Sequence, residues 1–146
     1  MNAPHFQLPD QTNTLRSLED AKGQWLVVFF YPRDSTPGCT VEAGDFQRLL
    51  PAFKKKNALV YGISQGKVKG KEKFACSLGL TYPILADEDK DVCKAFGIWK
   101  PKKFMGKEFL GIVRSTFLIG PDGAIVKHWD KVSVKGHAEE VLAEIK

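Results

Sequence analysis

Cysteine and histidine are scarce in this sequence of 146 residues, which contains three of each. The cysteines, Cys39, Cys76 and Cys93, form no Cys-x-x-Cys pair, and an odd, widely spaced set fits neither a disulfide scaffold nor a zinc ribbon. The histidines show no ligand spacing such as His-x-x-x-His. We therefore expect three free thiols, no metal ion and no bound cofactor.

Long hydrophobic runs are also missing. The longest uninterrupted one covers residues 25–31, whereas a membrane-spanning helix needs about 20 apolar residues. Residues 1–15 contain no Lys or Arg and no apolar stretch, so both parts of a secretory signal peptide are absent. We expect that the protein does not contact a membrane and that its location is cytoplasmic.

Arginine is the third scarcity, since only four of the 22 basic residues are arginine. The net charge is +5, and lysines cluster at 54–56, 67–73 and 100–107. These clusters contain no arginine for bidentate phosphate or base recognition and no interleaved platform of aromatic rings. We interpret them as a solvated lysine face and expect no nucleic-acid partner.

The order of the predicted elements indicates an α/β fold. Residues 25–31 form a β-branched and aromatic run, typical of a central strand that is covered on both faces. Crossovers of the β-α-β type are followed by a hairpin and a last helix, which is the order of a thioredoxin-like fold with a central mixed β-sheet flanked by helices. No repeat or linker divides the chain, so we expect one domain over residues 1–146. The predicted strands are 25–31, 58–64, 84–86, 113–119 and 124–129, the predicted helices run from about 39 to 56, 67 to 78, 87 to 96 and 137 to 145, and 97–106 is a predicted loop.

Cys39 lies where a loop rich in Asp, Ser, Thr, Pro and Gly meets the first turn of a predicted helix. Unpaired backbone N–H groups and the positive end of the helix dipole favour the thiolate at this position. Thr36 can present a hydroxyl beside the sulfur, and Glu42, one helical turn after Cys39, can orient a cation toward it. Arg114 is our candidate for that cation.

Segment 32–39 contains the pattern Pro-x-x-x-Thr-x-x-Cys and resembles the active-site motif of peroxiredoxins. The neighbouring residues are similar to those of the bacterioferritin comigratory protein, or Q-type, subfamily. The resemblance covers nearly the whole chain and continues at 62–64, 82–87, 114–117 and 136–142. It implies a thioredoxin-like fold and a thiol-dependent peroxidase.

This resemblance also implies the roles of five residues. Cys39 is the implied peroxidatic cysteine, and Thr36 and Arg114 would activate it and bind the peroxide. Pro32 would shield the site, and Glu42 would support the arginine. The implied reaction reduces hydrogen peroxide and organic hydroperoxides through a sulfenic acid, and thioredoxin or a similar thiol reductant restores the enzyme. Many Q-type relatives are monomers, so we expect a monomer.

The sequence departs from the family at the cysteine that resolves the sulfenic acid. Many Q-type members carry it five residues after the peroxidatic cysteine, where this chain has Gly44. Cys76 is the preferred candidate, and its position beside the apolar stripe of the helix predicted over 67–78 indicates partial exposure. Cys93 is more simply a buried apolar residue, although resolution by Cys93 or by an external thiol stays open. A redox sensor that passes the oxidation of Cys39 to a partner protein is a further alternative.

Overall fold

The structure is a computed structural model that describes residues 2–130 and 132–145. Within these residues there are nine β-strands, four α-helices and a short 3₁₀ turn at Glu19–Ala21. The strands are β1 Gln7–Pro9, β2 Leu15–Ser17, β3 Trp25–Phe30, β4 Ala58–Ser64, β5 Ile84–Ala86, β6 Trp99–Phe104, β7 Lys107–Ile112, β8 Ser115–Ile119 and β9 Ile125–Trp129. The helices are α1 Pro37–Lys55, α2 Val68–Leu78, α3 Asp91–Ala95 and α4 His137–Glu144.

A five-stranded sheet in the order β5-β4-β3-β8-β9 forms the centre of the molecule. Strands β3, β4 and β5 are parallel, whereas β8 is antiparallel to β3 and β9 is antiparallel to β8. Strand β3 takes the middle position because its apolar run can be buried on both faces, and residues 26–30 are fully buried. The predicted mixed sheet is confirmed. The carboxyl ends of β3 and β4 and the amino end of β8 meet at one edge of this sheet.

Alternate side chains of β3 enter two hydrophobic cores. One core contains residues of α1, α2 and α4, and the other contains residues of α3 and the N-terminal segment. Phe29 stacks on Phe46 of α1, with the ring centroids 4.6 Å apart. Tyr31, directly after β3, stacks on Phe74 of α2 at 5.4 Å. Aromatic contacts therefore fix both helices against the strand that leads into the loop before Cys39.

The loop predicted over 97–106 is wrong, because strands β6 and β7 form an antiparallel hairpin there. The turn consists of Met105 and Gly106, which both adopt positive φ angles, +52° and +79°. Such angles suit a tight hairpin turn, but Met-Gly is not one of the dipeptides from which a hairpin turn is predicted. A proline and several lysines also hide the alternation of β6.

Smaller differences concern the ends of elements. Helix α1 begins at Pro37, two residues earlier than predicted, because the fixed φ of proline suits the first helical position. The helix predicted over 87–96 forms only as α3, since Lys90 has a φ of +63° and closes a turn before it. Strand β8 begins at Ser115, so Arg114 lies in the connector before it rather than within the strand.

The three thiols are free and differ in exposure: Cys39 and Cys93 are buried, and Cys76 is exposed. Among residues 2–130 and 132–145, no group of three or more His, Cys, Asp or Glu side chains is arranged to hold a metal ion. In the same described part of the chain, no helix is long and apolar enough to cross a membrane.

Candidate active site

Cys39 is the third residue of α1, and only 1% of its surface is exposed. Thr36 has the extended backbone of an N-cap residue, and its carbonyl accepts the first helical hydrogen bond, from the Thr40 amide at 2.9 Å. Pro37 occupies the first helical position. The Cys39 amide therefore lies in the first turn of the helix, where free N–H groups and the helix dipole favour a negative charge.

Arg114 approaches the sulfur from the connector between β7 and β8. Its Nη2 lies 3.2 Å from Cys39 Sγ, and its Nη1 lies 2.5 Å from Glu42 Oε1. Gly38 leaves room for this approach, because a Cβ at that position would lie 3.2 Å from Arg114 Nη2. One guanidinium thus binds both the thiol and the carboxylate, although it follows Cys39 by 75 positions in the sequence.

Glu42 is the buried counter-ion of this arginine. Burial raises the pKa of Glu42 to about 7, and the neighbouring Arg114 opposes that rise. Glu42 Oε1 accepts the bond from Arg114, whereas Oε2 is buried and has no hydrogen-bond partner among the described residues. Burial disfavours the charge on Arg114, but Glu42 and Cys39 outweigh it and raise the pKa of the guanidinium. Arg114 therefore remains a cation beside the sulfur.

Pro32 and Thr36 line an open cavity of about 400 Å³ beside the site. The β6–β7 hairpin forms its other wall and contributes Phe109 and Leu110. Thr36 Oγ1 donates to the backbone carbonyl three residues earlier at 2.9 Å, so the oxygen can still accept a hydrogen bond. Within the described residues there is no direct hydrogen bond between Thr36 and Cys39. The structure therefore places Pro32 and Thr36 on the wall of this cavity rather than in hydrogen-bonding contact with the sulfur.

Cys76 and Cys93 lie in contrasting surroundings. Cys76 is exposed near the end of α2, in agreement with its predicted position beside the apolar stripe. Cys93 is fully buried in α3, and its amide donates to Asp87 Oδ2 at 2.7 Å. Burial, together with the Asp87 carboxylate, raises the pKa of the Cys93 thiol far above its usual range. Such a thiol is unreactive, which agrees with the interpretation of Cys93 as an apolar residue.

Lys71 contradicts the interpretation of the lysines on α2 as a wholly solvated face. Its side chain is fully buried, and Nζ donates to Asp34 Oδ2 at 3.0 Å and to the Gln65 carbonyl at 2.7 Å. Nζ also lies 5.5 Å from the centre of the Tyr31 ring. The sequence held one signal for this burial, which is the spacing of three residues between Lys71 and the core residue Phe74.

The sequence is similar to those of the members of one protein family. The model of the AhpC/TSA family matches residues 1–128. Peroxiredoxin Bcp of Xanthomonas campestris is 46% identical over 146 residues, which cover 99% of this chain and 91% of that protein. This chain belongs to the AhpC/TSA family. Peroxiredoxin Bcp of Escherichia coli is 42% identical over 144 residues, with 99% of this chain and 92% of that protein covered.

Solved peroxiredoxin structures have the same fold. A structure of the Xanthomonas campestris bacterioferritin comigratory protein, described in connection with alkyl peroxide reduction, superposes with a TM-score of 0.91 at 44% identity and covers 96% of this chain and 89% of that one. Peroxidoxin BcpB of Mycobacterium tuberculosis superposes with a TM-score of 0.86 at 35% identity, covering 98% and 92%. The predicted thioredoxin-like fold and Q-type resemblance are confirmed. The chain is a peroxiredoxin, a thiol-dependent peroxidase that acts on a peroxide with the help of a thiol reductant.

In this peroxiredoxin, the structure brings Cys39, Arg114 and Glu42 into direct contact. Cys76 is exposed on another helix, whereas Cys39 is enclosed. Reasoning from the sequence missed two features of the surroundings. One is the hairpin wall of the cavity, and the other is the buried Lys71.

Proposed function

We propose that Cys39 is the peroxidatic cysteine of this peroxidase, within a single domain that spans residues 1–146. The observation that carries the proposal is the position of Arg114, with Nη2 3.2 Å from the sulfur and Nη1 held by Glu42. A cation fixed beside a sulfur at a helix N-terminus favours the thiolate, which is the nucleophilic form. Glu42 acts as a positioning residue, because it touches the guanidinium rather than the sulfur.

The thiolate attacks one oxygen of the hydroperoxide in line with the O–O bond. An S–O bond forms, the O–O bond breaks, and the departing oxygen takes up a proton and leaves as water or an alcohol. Arg114 and the Cys39 amide stabilise the negative charge as it moves from sulfur to oxygen, and the Thr36 hydroxyl oxygen accepts a hydrogen bond from the O–H group of the peroxide. Pro32 shields the reacting atoms from solvent. The product at Cys39 is a sulfenic acid.

Cys76 resolves this sulfenic acid in our proposal. Its thiol condenses with the sulfenic acid, so that an S–S bond forms and the hydroxyl of the oxidised sulfur leaves with the thiol proton as water. The exposure of Cys76 supports this role, because an exposed thiol can ionise and its disulfide can meet a reductant. The buried Cys93 is disfavoured, since its raised pKa keeps it protonated.

The surroundings of the site support the choice of substrates and reductant. Phe109 and Leu110 give the cavity an apolar wall, which suits organic hydroperoxides in addition to hydrogen peroxide. Thioredoxin or a similar dithiol protein would reduce the disulfide by thiol exchange, and this requires a reducing compartment such as the cytoplasm. The enzyme would act as a monomer, as many Q-type relatives do.

The intact mass of the reduced protein after one equivalent of hydrogen peroxide tests this cycle. Free thiols are then alkylated under denaturing conditions and mapped. We expect the loss of two hydrogens, with Cys39 linked to Cys76 and with Cys93 alkylated. One oxygen on Cys39 with Cys76 alkylated would reject the resolving role in favour of an external thiol. An unmodified Cys39 would overturn the assignment of the peroxidatic residue.

Matched serine variants sharpen the experiment. Cys93→Ser should keep the Cys39–Cys76 disulfide, whereas Cys76→Ser should stop at the oxidised Cys39. Cys39→Ser should abolish peroxide consumption in the presence of thioredoxin and its reductase. A redox sensor would show oxidation of Cys39 in the wild type without sustained consumption of peroxide.

A further inference from the structure

A buried ion pair joins the helix of Cys76 to the loop that precedes Cys39. Lys71 Nζ donates to Asp34 Oδ2 at 3.0 Å, and Asp34 Oδ1 accepts from the Tyr31 hydroxyl at 2.6 Å. The two partners differ in burial, because the Lys71 side chain is fully buried whereas 23% of the Asp34 side chain is exposed. The lysine is therefore the partner that has lost its contact with water.

On the loop side, the pair holds backbone that belongs to the active site. Asp34 precedes Ser35, whose φ of +63° is uncommon for a residue other than glycine. Thr36 follows directly and caps the helix of Cys39. Asp34 also lies against α2, since a Cβ on Gly70 would be 3.5 Å from Asp34 Oδ2. The loop thus rests on α2 through the same carboxylate that binds Lys71.

On the helix side, Lys71 precedes Cys76 by five positions, and Phe74 and Ala75 between them pack into the core. Cys76 is exposed while Cys39 is enclosed, and the two thiols are free. A disulfide requires Cα atoms within about 7 Å, and we infer that α2 unwinds to bring the exposed Cys76 to the enclosed Cys39. An 11-residue helix has little stability of its own and depends on its packing.

The charge on Lys71 makes this packing less favourable. In the folded helix, a carboxylate oxygen and one carbonyl replace the hydration of the ammonium group. Burial lowers the pKa of Lys71 in spite of the opposing effect of Asp34, so the pair does not fully compensate the lost water. Buried ion pairs are often no more stable than apolar side chains of similar volume. Unwinding of α2 returns the ammonium group to water and relieves this cost.

We propose that Lys71 is a positioning residue that promotes resolution: its buried ammonium group lowers the cost of unwinding α2 and so brings Cys76 to the oxidised Cys39. This inference rests on the proposed resolving role of Cys76. The chemistry is unchanged, because the S–S bond still forms with loss of water from the sulfenic acid and the thiol. Lys71 affects the fraction of the sulfenic acid that forms the disulfide. The remaining fraction is oxidised to a sulfinic acid by a second peroxide.

Three variants test the proposal. Asp34→Asn with Lys71→Met replaces both charges by neutral groups of similar size and keeps an acceptor for Tyr31. Asp34→Asn alone leaves the buried ammonium group without its counter-ion. Lys73→Met is the matched control, since it removes an exposed lysine from the same helix.

The first readout is the time course of disulfide formation after one equivalent of hydrogen peroxide, measured by acid quench, alkylation and mass mapping. We expect the double variant to form the Cys39–Cys76 disulfide about tenfold more slowly than the wild type, with a larger sulfinic acid fraction at high peroxide. Asp34→Asn alone should accelerate disulfide formation, and Lys73→Met should change it less than about twofold. An ordinary structural anchor predicts the opposite sign, because removing the anchor would speed unwinding.

The second readout is amide hydrogen exchange of α2 in reduced protein that carries Cys76→Ser, which removes the resolving chemistry. The double variant should exchange these amides about tenfold more slowly. The proposal would be overturned if the double variant exchanged its amides and formed the disulfide as fast as the wild type, or if it failed to fold. In either case the charge on Lys71 would have no effect on the stability of α2 or would increase it. If Cys76 proves not to resolve Cys39, the exchange measurement still decides the effect of Lys71 on the helix.

Discussion

Replacement of Glu42 by Gln tests the electrostatics around the proposed peroxidatic cysteine. In the folded protein, burial raises the pKa of Glu42 from 4.5 to about 7. In the unfolded chain the carboxyl group is hydrated and has its ordinary pKa. Between these two values the folded protein binds a proton that the unfolded chain releases. Protonation of Glu42 therefore adds to the unfolding free energy. This contribution is complete when the pH is below the pKa of the unfolded chain, and it is lost as the pH rises through the pKa of the folded protein.

The size of this effect follows from the two pKa values. One pKa unit corresponds to about 1.4 kcal/mol, so the rise to about 7 lowers the unfolding free energy by about 3 kcal/mol between acidic and mildly alkaline pH. Glutamine has nearly the same shape and does not titrate. Arg114 remains charged throughout this range, so the loss of its counter-ion adds a constant term. The difference between the wild type and Glu42→Gln thus isolates the carboxyl group.

Urea unfolding of the reduced proteins at a series of pH values, followed by tryptophan fluorescence, measures this difference. We expect the unfolding free energy of the wild type to fall relative to that of Glu42→Gln by about 3 kcal/mol from about pH 4.5 to pH 8. A difference that stays constant within about 1 kcal/mol would refute the reasoning, because the pKa of Glu42 would then be the same in the folded protein as in the unfolded chain.

Three further predictions concern activity and thiol reactivity. Arg114→Met should lower kcat/KM for hydrogen peroxide by about 10²–10³-fold in steady-state assays, because it removes the donor beside the sulfur, and an unchanged value would exclude its role. Cys93 should be alkylated only in denaturant, and mass mapping of native protein that shows Cys93 labelled as fast as Cys76 would contradict its burial. Leu110→Ser should raise KM for cumene hydroperoxide more than KM for hydrogen peroxide, since only the larger substrate reaches the apolar wall.

The sequence carried clear signals where local chemistry determines structure. Strand β4 forms at the predicted residues 58–64, a mostly apolar stretch that follows a lysine-rich helix end and an asparagine. The contact between Glu42 and Arg114 is also predictable, since Glu42 lies one helical turn after Cys39 on the same helix face, where it can orient a cation toward the sulfur. Here the sequence motif and the helix geometry both indicate that Glu42 supports an arginine beside Cys39.

Other features depend on contacts that no local pattern reveals. The β6–β7 hairpin was missed because its turn residues are unusual and its charged strand lacks a clear alternation. The sequence predicts a solvated Lys71, because lysine is almost never fully buried without a partner and its partner Asp34 lies 37 positions earlier in a loop. Pairings of this kind become visible only when the fold brings distant segments together.

The distance in sequence between Cys39 and Arg114 has a consequence for the newly synthesised protein. The two residues are separated by 75 positions. At roughly 5–20 residues per second, the ribosome adds Arg114 about 4–15 s after Cys39. During that interval the cysteine has neither the guanidinium nor the β8 strand that positions it. A growing chain therefore carries Cys39 without its arginine, and the proposed peroxidatic site is complete only when the second half of the sheet has been made.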